Sequence, residues 1–242
     1  MSGQGAKGLT LAAGIIGSWV VLQLAGAQLP LAGRWLAAAP LLIALICWLD
    51  VGLFIVAHDA MHGSLAPGRP ELNRWVGRVA LALYAGFTFD RLRPKHLAHH
   101  RAPGSSDDPD FHAPGPRLFW RWYLAFFRQY FGLRELAGMA CLAALYLLLL
   151  RGPLSNLLLF WAIPALLSSL QLFLFGTWLP HRHSEMPFAD RHRARSSDLG
   201  RLASLISCFH FGYHLEHHRS PHLPWWALPA ERAMSLRPDP KR

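Results

Sequence analysis

Charge is scarce in this chain of 242 residues: only 16% are charged, whereas 52% are apolar, and the mean hydropathy is positive. A water-soluble domain carries about 25% charged residues, so this composition excludes the ordinary globular class and leaves a membrane protein. Cysteine is equally thin. Cys47, Cys141 and Cys208 form no CxxC pair, and they argue neither for a disulfide framework nor for a cysteine-bound zinc. HExxH is missing too, which disfavours zinc hydrolase chemistry.

What is present is clustered apolar sequence. Leu9 to Leu29 carries no charge, Trp35 to His58 is interrupted only by Asp50, and Leu136 to Leu150 and Leu154 to Pro180 are both uncharged. About 20 apolar residues cross a bilayer. The sequence predicts an all-α integral membrane domain over 1–242, with four transmembrane helices near 9–29, 35–58, 131–150 and 156–178, paired in two hairpins. Lys7 followed by an apolar stretch and "AGA" at Ala25 to Ala27 has the outline of a cleaved leader. A single basic residue and a run long enough to span favour a retained helix. The stretch from Trp75 to Phe89 holds Arg78 and is too short to span; it reads as interfacial or re-entrant. "LFWRWYLAFFRQYF" at 118–131 reads as an interfacial amphipathic helix.

Drawn this way, Arg34 and Arg151 are the only basic residues on one side, out of 24. The positive-inside rule then orients the other side to the cytoplasm, which places the chain in a bacterial inner membrane with every histidine on the cytoplasmic face. The formal charge of +10 is explained by that topology and by anionic lipid rather than by nucleic acid.

The histidines carry the chemistry. "HLAHH" at 96–100 and "HLEHH" at 214–218 repeat one pattern, and His58 and His62 stand four apart. Residues at i, i+3 and i+4 share a helical face, so each group projects imidazoles in one direction. Counting His181, nine imidazoles are too many for one tetrahedral zinc. Two six-coordinate ions offer about twelve positions and leave room for water or dioxygen. A nitrogen-rich pair of metals is the expectation.

HDxMH at 58–62 and the two HxxHH groups resemble the histidine boxes of the membrane fatty acid desaturase and hydroxylase superfamily. Within it, "AHDAMHGS", "DDPDF", "GTWLPHR", "DRHRARSS", "FHFGYHLEHH" and "PHLPWWALP" are similar to the bacterial carotenoid ring ketolases, from about Leu45 to Pro229. The resemblance implies two iron ions in a cytoplasmic histidine-rich cap, dioxygen, a carotenoid drawn from the bilayer lipid, and a ferredoxin-type electron donor. It implies that His58, His62, His96, His99, His100, His214, His217 and His218 are iron ligands, with His181 as an additional one. Where such enzymes often carry Asn, four residues before that last histidine, this chain has Thr177.

Carboxylates beside metal-bound imidazoles orient them by accepting the second ring N–H. Asp59, Asp108, Asp110 and Glu216 are candidates, and Asp50, an intramembrane acid, is expected to hydrogen-bond a ligand histidine or to hold a polar group near the substrate channel. His210 shares a face with His214 and reads as support for it; His183 reads as surface, and His112, His192 and His222 as loop or surface. Phe87, Phe89, Trp178, Phe209, Phe211 and Tyr213 are the aromatics nearest the boxes and suit a polyene ring. The expected reaction is oxidation of the C4 methylene of a β-ionone ring to a ketone. A carotenoid 3-hydroxylase, a fatty acyl desaturase or an alkane hydroxylase would share the boxes. A metal transporter would need ionisable residues at mid-membrane, where only Asp50 lies.

Overall fold

In a computed structural model describing residues 3–237 apart from 113 and 116, the described chain contains helices and loops without strands. Four helices are long and apolar enough to cross a bilayer: α1 Gly3–Gln28, α2 Arg34–His62, α6 Leu133–Leu150 and α7 Leu154–His181. Between them lie α3 Pro70–Ala85, α4 Phe89–Arg101 and α5 Phe119–Tyr130, and after them α8 Arg201–Cys208, α9 His214–Arg219 and α10 Leu228–Ser235.

The first two helices overrun the apolar runs that predict them. The first starts six residues before Leu9, where Gln4 Nε2 donates to the Ser64 carbonyl at 2.8 Å and ties its beginning to the loop after α2. The second continues through His62, because the first residue able to stop it is Gly63, whose φ of 75° closes the helix with a left-handed cap. His58, His62 and His181 therefore stand on the last turns of long rigid helices rather than on loops.

The central helix is α2, with α1, α3 and α7 packed around it. Val21 of α1, Leu148 of α6 and Leu166 of α7 are exposed, as is Leu41 on the outer half of α2 itself; together they form the apolar belt that a bilayer would cover. The α1–α2 turn is held by Asn156 of α7, whose Nδ2 donates to the Gly26 and Leu29 carbonyls at 2.8 and 2.9 Å, satisfying carbonyls that a helix end leaves orphaned.

Of the two readings of Trp75–Phe89, the re-entrant one fits. Tyr84, near the end of α3, lies beside Phe54 of α2, with ring centroids 6.1 Å apart, and within 3.4 Å of Ser168 in the middle of α7. The chain then reverses at Gly86, with φ of 68°, and α4 returns to the histidine end. Burying α3 against α2 satisfies an amphipathic segment too short to span. The expected interfacial helix is α5, and its inner face does more than float: Trp122 and Tyr123 are buried against Phe173.

Candidate metal centre

Nine histidines arrive at one end of the bundle from four directions: His58 and His62 on α2, His96, His99 and His100 on α4, His181 at the end of α7, and His214, His217 and His218 on α9. They separate into two sets. His58, His62, His96, His100 and His217 form one, and His99, His181, His214 and His218 the other; within each, the ligand nitrogens lie within 4.8 Å of one another. The sets abut where His100 of the first stacks on His218 of the second at 4.1 Å.

The short contacts are between Nε2 atoms and fall inside the sets. His62 meets His96 at 2.7 Å, His100 meets His217 at 3.0 Å, His99 meets His218 at 3.2 Å, and His214 meets His218 at 3.0 Å. Two nitrogens each about 2.1 Å from one ion, at right angles, stand about 3 Å apart. A neutral imidazole has one N–H, so crowded Nε2 atoms cannot all satisfy one another. His58 Nε2 and His181 Nε2 are buried with no hydrogen-bond partner at all. A cation shared by each set resolves both problems, and the residues fit one.

Electrostatics point the same way. Burial first, and neighbouring imidazoles second, hold His96, His214, His217 and His218 well below the usual histidine range. The neutral ring is the form that ligates a metal. His99 is the exception: burial opposes its charge, but a hydrogen bond to Asp108 and the nearby Asp110 outweigh it and raise its affinity for a proton.

The supports of the ligands divide the sequence candidates. Asp108 accepts from His99 Nδ1 at 2.9 Å and is itself fixed by the Gly104 and Asp110 N–H groups at 2.7 and 2.9 Å. Asp110 lies 3.8 Å from the same ring nitrogen and accepts a hydrogen bond from the Tyr130 hydroxyl; burial pushes its carboxyl up to about 6. Asp59 accepts the Trp225 N–H at 3.1 Å and stands 3.6 Å from His58 Nδ1, so it ties the first box to the turn before α10.

Glu216 departs from its expected part. Its carboxylate takes Arg232 at 3.0 Å, Ser235 at 2.9 Å and the Ser196 hydroxyl, and no imidazole. The reason is helical geometry: two residues on from His214, it points away from the ligand face, where it clamps α9 to α10. Asp50 departs further. It lies two turns from His58, so it accepts the Trp19 indole N–H from α1 at 2.7 Å and hydrogen-bonds no histidine among the described residues. His210, with a left-handed φ of 62°, turns out of the α9 register and stacks on Tyr213 and Trp225, a packing role instead of support for His214. His183 is exposed as expected. His192 is outside both sets, its ring 6.1 Å from that of His218.

One support was not legible. His181 Nδ1 donates to the Arg193 carbonyl at 2.8 Å, and Arg193 holds a left-handed φ of 42° while its guanidinium donates to the Gly104 carbonyl at 2.8 Å. A backbone acceptor leaves no residue-type signature; the strained φ marks it only once the chain is folded.

An apolar groove runs from the two histidine sets down into the bundle. Ala162, Ala165, Ser169, Leu172, Gly176 and Thr177 form its α7 wall, Phe126, Phe127 and Tyr130 of α5 face them, and His96, His99 and His214 close the end. Of the aromatics expected near the boxes, Phe87 and Phe211 line the groove. Phe89 fills the space beside Gly77, Trp178 packs with Phe119, Phe209 stacks on Trp48, and Tyr213 donates to the Leu199 carbonyl.

Comparison with known proteins adds an independent line. Residues 33–242 match the family described as fatty acid desaturase. A beta-carotene ketolase of Paracoccus sp. strain PC1 is 49% identical over 232 residues, covering 93% of this chain and 91% of that one. A beta-carotene ketolase of Haematococcus lacustris is 37% identical over 96% of this chain and 81% of its own. A zeaxanthin 4-ketolase of Chlamydomonas reinhardtii is 37% identical over 94% of this chain and 54% of its own length.

Proposed function

The chain belongs to the fatty acid desaturase family, and from that membership we propose that it is an O2-dependent carotenoid 4-ketolase, converting the C4 methylene of a β-ionone ring to a ketone. The observation that carries the reading is the groove. It is apolar for about 22 Å, fifteen residues of α7 at 1.5 Å each, and it ends on His96, His99 and His214. A hydrocarbon dissolved in the bilayer can pass along it without meeting water, and its terminal ring stops at the histidine sets.

We assign two iron ions to the sets of five and four histidines. Six-coordinate ions with those donors keep positions open, whereas a tetrahedral zinc would be saturated by the second set. When bound, the pair supplies activation of dioxygen. The protein supplies the rest. Asp108 and the Arg193 carbonyl fix the ring orientation of His99 and His181, neutral rings are maintained by burial, and the aromatic walls orient the substrate and exclude water. Two successive hydroxylations at C4, each consuming one O2, two electrons and two protons and releasing one water, give a geminal diol that loses water to the ketone.

The electrons come from outside, because the sequence holds no nucleotide-binding or cysteine-cluster motif. We assign a ferredoxin-type donor, steered by basic residues on the histidine side: Arg91, Arg93, Lys95, Arg191, Arg193 and Arg195. Arg91 is already paired with Glu135 at 3.0 Å, which leaves the others as the effective charge. By the positive-inside rule we assign the same basic side to the cytoplasmic surface of the bacterial inner membrane.

Carotenoids extracted from cells that make β-carotene and express this chain test the reading. Echinenone and canthaxanthin are the expected products. Zeaxanthin would assign ring 3-hydroxylation instead, and unchanged β-carotene alongside new unsaturated acyl chains would assign a fatty acyl desaturase.

A further inference from the structure

A second cavity, of about 700 Å³, opens where α7 ends, and it shares no lining residue with the apolar groove. Its charge is unbalanced. Arg117, Arg182 and Arg195 line it against two acids, Glu185 and Asp198. Asp198 already receives Arg232 at 2.9 Å, and among the described residues none of the three arginines forms an ion pair. Burial, and then the Arg182 charge, pull Arg195 below the usual guanidinium value. The guanidiniums are held by their faces: Arg182 lies 4.4 Å from the centre of the Trp178 ring and Arg195 4.0 Å from that of Phe188. Stacking of this kind leaves the N–H edges for an acceptor. Two Arg195 N–H groups are taken by the Arg182 and Met186 carbonyls, whereas the Arg117 and Arg182 side chains donate to nothing among the described residues. Two more donors in the wall, the Trp178 indole N–H and the Ser197 hydroxyl, are buried without a partner. An anion with several acceptor oxygens is what such a set of donors binds.

The depth of the cavity selects the anion. Phe175 and Leu179, on the last turns of the α7 span, form its apolar part. Beyond Asp198 the chain enters α8, which turns back against the spans: the Trp48 indole donates to the Leu205 carbonyl at 3.2 Å, and Gln171 donates to the Ser207 carbonyl. Gln171 is ten residues before His181, about 15 Å into the span, so the end of α8 lies at membrane depth. Leu202 and Ile206 of α8 are exposed. Arginines placed above apolar, lipid-covered helices match a phospholipid, with its phosphate above its acyl chains.

We propose that this cavity binds the phosphate of a net-anionic phospholipid through Arg117, Arg182 and Arg195, with the acyl chains running beside Leu202 and Ile206. A zwitterionic headgroup brings a cation into a cavity that already has a surplus of positive charge, so the anionic lipid is preferred. A free phosphate ion meets the same arginines but gains nothing from the apolar wall. The bound lipid joins the approach to α5, the end of α7 and the segment before α8, three parts distant in sequence, and so braces the histidine end of the bundle.

The test uses the metal-loaded full chain in nanodiscs of phosphatidylcholine, alone or mixed with phosphatidylglycerol. Native mass spectrometry reads the lipid retained on release from the mixed discs, and the unfolding temperature is measured in both. The parent should retain phosphatidylglycerol in preference to phosphatidylcholine and unfold at a higher temperature in its presence. Arg117→Gln combined with Arg182→Gln should lower that preference about 10- to 30-fold, and the single Arg117→Gln, at an exposed position, about 3- to 10-fold; the single variant keeps the comparison if the double one does not fold. Arg121→Gln combined with Arg128→Gln removes the same charge from α5 and should leave the preference unchanged. Equal retention of the two lipids by the parent overturns the proposal. An equal loss in the Arg121 and Arg128 variant overturns it too, by assigning the effect to diffuse surface charge. Inorganic phosphate that stabilises the protein in phosphatidylcholine discs as much as phosphatidylglycerol does would assign a soluble phosphate ligand and overturn the lipid site.

Discussion

His99 and Asp108 form a buried pair in which Nδ1–H donates to the carboxylate at 2.9 Å, and this single bond aims His99 Nε2 into the second histidine set, 3.2 Å from His218 Nε2. Without the acceptor, either ring nitrogen could carry the proton and the ligand would lose its fixed direction. Asp108→Ala is expected to lower metal affinity and turnover about 10- to 100-fold. Metal titration of the purified variant measures it, and affinity equal to the parent would remove Asp108 from this role.

The two sets predict separable losses. His217 belongs to the five-histidine set and His99 to the four-histidine set. His217→Ala and His99→Ala should each hold less iron than the parent, and the double variant less than either. Elemental analysis per chain decides. Two variants with undiminished iron would sink the ligand assignment.

Asp50 now predicts stability rather than tuning. Its partner is the Trp19 indole at 2.7 Å, linking α1 to α2. Asp50→Asn keeps an acceptor for that N–H, so iron content and product profile should follow the parent. Asp50→Leu strands the indole and should destabilise the fold by about 1–3 kcal/mol. Thermal unfolding in detergent separates them; loss of iron in Asp50→Asn would return Asp50 to the site.

Acid should weaken the metal-free protein. The folded state holds His96, His214, His217 and His218 below the ordinary histidine value, so as pH falls below about 6.5 the unfolded chain takes up protons that the fold refuses. Stability is complete above that pH and declines below it. His99, raised by Asp108 and Asp110, and Asp110, pushed up to about 6 by burial, oppose the trend, but they are outnumbered by these four imidazoles together with His100, which burial also lowers. The unfolding temperature of chelator-treated protein should drop from pH 7.5 to 5.5, about one unit either side of the histidine value. Added Fe(II) at the upper pH should raise it. A flat profile would contradict the buried neutral rings.

Ferredoxin-supported rates should fall as salt rises, because steering by exposed arginines is screened within about 8–10 Å at 0.1–0.15 M. Rates with a small uncharged chemical reductant should not. Equal salt dependence with both would place the effect on the enzyme instead of the encounter.

The sequence by itself determined the four spans and the list of histidines, because both are written in short-range patterns. Apolar run length sets whether a segment crosses a bilayer, and i, i+3, i+4 spacing sets which imidazoles share a face. It also offered Asp108 and Asp110, two residues apart in one tight loop, as supports for the rings. Only the tertiary structure decided how nine imidazoles divide into five and four, since His99 and His100 are neighbours in sequence yet face different sets. It decided that Glu216 clamps α10 and Asp50 holds Trp19, because a carboxylate takes the donor that packing brings to it. It made α5 a wall of the groove. Contacts between distant segments depend on the packing of whole helices, and no local pattern encodes them.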